Sequence, residues 1–176
     1  MTVWTIDTAH TETGFSVKHM GLSNVRGNFL TTTGTAATDE QGKLTAVSAE
    51  IDVASISTRN NDRDNHLKSA DFFDAATYPK MAFTSTAVTA KGGDEYTIIG
   101  ELTIKETTKT ITFEAEVSAP VTDPYGLKRS GASLSFAIDR REYGLNWSQA
   151  LANGSLVVGN KIKVNVEAEI TAQPAK

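Results

Sequence analysis

The sequence predicts an all-β domain, an eight-stranded antiparallel up-and-down barrel with one or two short helices in an excursion over residues 55–80. Three observations predict it. Apolar residues recur at every second position through long stretches of the chain, the signature of strands with one dry face. Threonine supplies 24 of the 176 residues, and its stiff, branched side chain suits the half-wet surface of a pleated sheet. Turn quartets such as Asp39-Glu40-Gln41-Gly42, Lys91-Gly92-Gly93-Asp94 and Asp123-Pro124-Tyr125-Gly126 separate these stretches with residues that tolerate positive φ or preset a turn. Short consecutive turns, without the Cys and Trp landmarks of an immunoglobulin sandwich, favour a closed barrel.

In chain order, residues 13–19 put Phe15, Val17 and His19 on one face. Residues 25–37 form a Thr-rich run around Phe29, interrupted by Gly27 and Gly34, and read as one curved strand. Strands follow at 44–53 and at 81–90, the latter with Met81 and Phe83 on a shared face. Residues 96–105 align Tyr96, Ile98, Leu102 and Ile104, with Gly100 among them as a bulge or point of close approach. Residues 108–119 set Ile111, Phe113, Ala115 and Val117 against Thr110, Thr112, Glu114 and Glu116. Residues 129–139 carry Ala132, Leu134, Phe136 and Ile138 on one face, and residues 161–171 alternate Ile162, Val164, Val166, Ala168 and Ile170 with polar neighbours. Two segments break the rhythm. Residues 55–80 are charged and poor in β-branched side chains, with Asn60 or Asn61 placed to cap a helix over 62–67. Residues 140–160 read as a helical turn and a long loop. No repeat or linker divides the chain, so residues 1–176 are one domain.

Composition closes several classes of function. With no cysteine there is no disulfide framework, thiolate metal site or thiol nucleophile, and a chain of this size buries roughly 70% of its unfolded surface without such staples. No apolar run reaches the roughly 18 residues of a membrane span. Seventeen basic residues against 21 acidic, scattered rather than clustered, argue against a nucleic-acid partner. The N-terminus has no basic, apolar leader, so the chain as given is expected in the cytoplasm, with a trimmed periplasmic or secreted form as the other reading.

An eight-stranded barrel is wide enough to be filled by side chains or to hold one small ligand. The inward set is Phe15, Val17, His19, Phe29, Phe83, Ile98, Leu102, Ile111, Phe113, Leu134, Phe136 and Ile138, apolar but for one histidine and free of paired carboxylates. It suits a packed core or an apolar cavity. His10, His19 and His66 are far apart and lack metal-ligand spacing, so no metal or other cofactor is expected. Asp64, His66, Ser69 and Asp71 occur together, but neighbouring helix positions point apart and no nucleophile elbow is present; Ser69 and Asp71 read as caps. Arg59, Arg63 and Arg140 are expected either to pair with Asp62 or Asp64 or to meet a ligand's polar head, a task their forked donors suit.

Several of these runs resemble the YceI-like family of bacterial lipocalin-like proteins. They are Asp7-Thr8-Ala9-His10, Phe15-Ser16-Val17-Lys18-His19-Met20-Gly21, Val25-Arg26-Gly27-Asn28-Phe29, Ser55-Ile56-Ser57-Thr58 and Tyr78-Pro79. The specific one is Arg63-Asp64-Asn65-His66-Leu67-Lys68-Ser69-Ala70-Asp71-Phe72-Phe73-Asp74; Gly100-Glu101-Leu102-Thr103-Ile104 and Ile138-Asp139-Arg140-Arg141-Glu142-Tyr143-Gly144-Leu145 complete the set. The resemblance implies a lipocalin-like barrel whose pore binds a long-chain isoprenoid or other amphiphile, for carriage, storage or sensing, and a binding protein rather than an enzyme. An enzyme acting on an amphiphile through His19 or the Asp64–His66 neighbourhood is the alternative, with a stress-related interaction module built on a filled barrel beside it; homodimerisation stays open. The chain departs from the family at Lys105-Glu106-Thr107, where many members have His-Gly, and at His10-Thr11, where many have His-Ser.

Overall fold

Alternation carries most of the chain into strands: β1 (Thr2–His19), β2 (Ser23–Phe29), β3 (Thr32–Thr38), β4 (Leu44–Asp52), β5 (Ile56–Ser57), β6 (Lys80–Gly92), β7 (Glu95–Ile104), β8 (Thr107–Val117), β9 (Val121–Thr122), β10 (Lys128–Asp139) and β11 (Lys161–Ala172). The computed structural model describes residues 1–172. Neighbouring strands run antiparallel in the order β11-β10-β8-β7-β6-β4-β3-β1-β2-β5, and β11 returns to β1. The first strand is longer than its periodicity suggests, because a bulge between Asp7 and Glu12 shifts its register against β11 and hides the alternation. The expected curved strand over 25–37 is broken at Leu30-Thr31, where the backbone N–H groups turn to Ser55; β2 and β3 then lie end to end against β1. Counted as one stave, and with the two-residue β5 and β9 set aside, they leave a closed eight-stranded antiparallel barrel.

Gly100 occupies a point of close approach. A Cβ there would stand 2.5 Å from the Thr84 carbonyl oxygen and 2.7 Å from Cε2 of Phe83. The neighbouring ladder slips between Ser85 and Ala87, so the β6 backbone leans over the glycine. Gly100→Ala is expected to cost about 2 kcal/mol, a drop of roughly 4–8 °C in Tm for a domain of this size. A thermal melt that matches the unaltered protein would show that the ring moves aside freely.

The 55–80 excursion contains one helix, α1 (Asn61–Lys68), with Asn60 as its N-cap: the side-chain oxygen accepts the Arg63 N–H at 3.0 Å. Asp62 and Asp64 lie in the first turn and His66 and Lys68 in the last, each sign at the end the helix dipole favours. The expected pairing of Asp62 or Asp64 with an arginine is not formed. Buried Asp64 accepts from the Thr58 N–H at 2.8 Å and its hydroxyl at 2.6 Å, while Arg63 donates to the same hydroxyl at 2.8 Å and to the Thr58 carbonyl at 2.7 Å. Both charges fix on one threonine because its backbone, just past β5, has no ladder partner of its own.

Candidate functional site

The barrel encloses a cavity of about 260 Å³. A void of roughly 150 Å³ with apolar walls stays dry and takes up a benzene ring, so this one is large enough for a branched hydrocarbon segment. Its wall is apolar nearly throughout, since even Thr11, Thr13, Thr32 and Thr35 add almost no polar surface.

Eleven of the twelve residues read as inward line it: Phe15, Val17, Phe29, Phe83, Ile98, Leu102, Ile111, Phe113, Leu134, Phe136 and Ile138. His19 is not in the wall. It ends β1 at the turn into Met20-Gly21 and bridges Val158, so it sits beyond the cavity. Sequence reasoning left out the inward face of β11, Ile162 to Ile170, whose alternation was plain. It also missed Leu67, Phe72 and Phe73, which carry no periodic signal.

The void lies to one side. On β7 the inward residues Ile98, Leu102 and Ile104 are buried, whereas on β11 Ile162, Val164, Val166 and Ala168 point inward yet stay half-exposed, their free surface turned to the cavity. Trp4 and Tyr96 close the barrel at the end opposite α1: the indole donates to Thr38 Oγ1 at 3.1 Å, and the Tyr96 hydroxyl accepts the Leu44 N–H at 3.4 Å. Leu67, Phe72 and Phe73 from the excursion, with Leu145 and Val158 from the 144–160 loop, cover the other end. The two parts of this cover meet where His66 packs edge-on against Phe72 and Trp147, both at 5.1 Å between centroids. One seam of the wall is short. β10 is in register with β11 over its whole length but meets β8 over only three pairs, Ala132, Ser133 and Leu134. Where that pairing stops, Phe113 and Phe136 stack 5.4 Å apart and seal the gap from inside.

Two of the three arginines are committed to local contacts, chiefly backbone carbonyls. Arg140, 2% exposed, donates from Nε to the Gly159 carbonyl, from Nη1 to that of Leu145 and from Nη2 to that of Val158. Burial pulls its pKa down against the attraction of Asp139. It shows the cavity its stem, and its charged fork faces the loop. Arg63 is held by Thr58, and Arg59 is exposed in the left-handed region at φ 63°. The Asp-His-Ser neighbourhood forms no relay: His66 Nε2 lies 2.8 Å from Asp71, and the Ser69 hydroxyl donates to the His66 carbonyl instead of its ring.

Outside the barrel, Asp7, His10 and Glu169 come close enough to share an ion, but the Arg129 guanidinium fills the space, donating to Asp7 at 2.8 Å and Glu169 at 3.2 Å. Arg129 holds Asp7 and Asp123 below the usual carboxylate range, and Arg141 lowers Asp139 to about 2. These groups bind protons less readily folded than unfolded, so their stabilisation is complete above pH of about 4 and is lost as pH falls through the folded values. Tm is therefore expected to be level from neutral pH to about 5 and to fall below about 4, with Asp139→Asn removing part of the fall. An acid melt identical in the variant would assign the drop to other groups.

Comparison with known proteins agrees with this architecture. The YceI-like domain pattern matches residues 4–170. The chain belongs to the YceI-like family. UPF0312 protein SAB2563 of Staphylococcus aureus (strain bovine RF122 / ET3-1) is 35% identical to this YceI-like chain over 173 residues, 97% of it and 98% of the relative. Among solved structures, the Campylobacter jejuni YCEI protein is 32% identical and superposes with a TM-score of 0.76 over 95% of this chain and 96% of its own. Burkholderia cenocepacia BcnA shares the fold at 22% identity, with a TM-score of 0.80 over 93% of this chain and 98% of that one. A polyisoprenoid binding domain from Saccharophagus degradans shares it at 14% identity, with a TM-score of 0.75 over 98% and 100%.

Proposed function

We propose that this YceI-like protein binds a long apolar chain, a polyisoprenoid or similar amphiphile, inside the barrel, and serves to carry, store or sense it. The observation that carries the reading is the barrel cavity with its apolar wall. Burying each CH₂-sized group contributes about 0.8 kcal/mol, so a few isoprene units bind usefully without a polar contact. Tail length and branching then matter less than the absence of charge. The head group lies at the cover formed by the excursion and the 144–160 loop, since the barrel interior offers it no partner. The Saccharophagus degradans domain, described as polyisoprenoid binding, supports the ligand class on the same fold. A filled barrel acting only as an interaction module is disfavoured by the void, and an enzyme by the absence of a nucleophile–base pair around His66. Native mass spectrometry of protein from its host, followed by organic extraction, is expected to release a lipid. Protein that comes out empty and ignores prenyl phosphates, quinones and fatty amides at micromolar concentration would overturn the proposal.

A further inference from the structure

Residues 143–160 contain no charged side chain, eighteen in a row in a chain of which 22% is charged. The fold sets this loop against a second uncharged segment, Met20 to Val25 at the β1–β2 hairpin tip. The Met20 N–H donates to the Val157 carbonyl at 3.0 Å and the Gly159 N–H to that of Lys18 at 2.9 Å, so the two form one surface at the covered end of the cavity. Leu22 stands out of it 82% exposed, and Trp147, Leu151, Leu156 and Val157 are half-exposed beside it.

Cations border this end. Lys18, Arg26, Lys161 and Lys163 are exposed on the outer faces of three adjacent strands: Ser16 of β1 lies opposite Arg26 on one side and Lys163 on the other, with Lys18 and Lys161 one outward position nearer the end. None of the four forms an ion pair among the described residues, and Asp139, opposite Lys161, is held by Arg141 at 2.6 Å. Toward the far end of the same wall the outward residues become acidic, with Glu12 opposite Glu167 and Glu169 beyond it. The charge of this wall is therefore separated along the barrel axis.

An apolar tip and an interfacial tryptophan within an uncharged patch, bordered by unpaired cations, match the layers of an anionic bilayer surface. We infer that the protein docks on anionic lipid bilayers by this end, with Leu22 entering the interface and Lys18, Arg26, Lys161 and Lys163 at the headgroups. Docking rests on the surface alone and holds whether or not the cavity carries a ligand.

The test is flotation with vesicles of phosphatidylcholine, with and without phosphatidylglycerol. Binding is expected only to the mixed vesicles, falling as salt rises. Lys161→Glu with Lys163→Glu, a change of four charges, is expected to weaken it by several hundredfold, at about fivefold per unit charge. Lys43→Glu with Lys128→Glu, the same change in net charge at the other end of the barrel, is expected to leave it within about twofold. Leu22→Ser is expected to weaken binding without altering its salt dependence. Equal losses from both charge-reversed pairs, or equal binding to neutral vesicles by the unaltered protein, would overturn the inference. The second result needs no variant to fold. Lipid recovered from the cavity by extraction is an independent readout, so either proposal can fail while the other stands.

Discussion

Arg140→Met is expected to destabilise the protein by about 3–5 kcal/mol, the range for breaking a buried charged hydrogen-bond cluster. The guanidinium closes the 144–160 loop on itself by holding the carbonyls of Leu145, Val158 and Gly159 together at 2.6, 3.3 and 2.9 Å. Methionine keeps an apolar stem against the cavity and removes only the fork, so three carbonyls lose their donors. Urea unfolding measures the loss, and hydrogen exchange should show the amides of Leu145 and Gly159 opening first. Arg140→Lys is expected to recover only part of it, because an ammonium cannot reproduce a planar fork. Unchanged stability in Arg140→Met would mean that the loop is held from elsewhere, by the Trp147 cluster and the backbone bonds to Lys18 and Met20.

Val166→Phe with Ala168→Phe is expected to weaken uptake of farnesol on the order of a hundredfold while the barrel stays folded. Both positions are on the inward face of β11, where the free surface is turned to the void, so the added rings enter empty space. Overpacking a dense core costs typically 1–3 kcal/mol, and here the void absorbs most of that. Excluding about four methylene-sized groups removes roughly 3 kcal/mol of binding, on the order of a hundredfold in Kd. Fluorescence titration with melts of both proteins is the check. A double variant that binds farnesol as tightly as the unaltered protein would place the ligand outside the barrel. The same pair of changes at Ile98 and Leu102, which already pack against their neighbours, is expected to damage the fold instead.

How much of this was legible follows from the range of the interactions. The strands β7, β8, β10 and β11 were readable because inward and outward residues alternate along them, and the helix because Asn60 caps it while charges of the favoured sign occupy its two ends. The bulge between Asp7 and Glu12 and the break at Leu30 were not, since each is imposed by a partner strand that local periodicity does not contain. Eleven residues of the cavity wall, fewer than half of it, were named from alternation. His19 was misplaced because alternation does not say where a strand ends, and Phe72 and Phe73 were missed because their position depends on how the excursion folds back over the barrel.

The comparison of β7 with β11 marks the boundary. Both strands alternate apolar and polar residues, and nothing in their sequences distinguishes the dry face of one from that of the other. Alternation, turn residues and capping are local, and they were enough to specify strands, faces and family. Whether an inward side chain meets another side chain or empty space depends on the diameter and flattening of the closed barrel and on which residues come from the opposite wall. Ile98 is 2% exposed because Phe83, Phe113 and their neighbours fill the space before it, while Val164 and Val166 look across the void. Only closure of the sheet made the difference between a packed core and a cavity, and it also gathered distant, individually unremarkable lysines beside one uncharged patch.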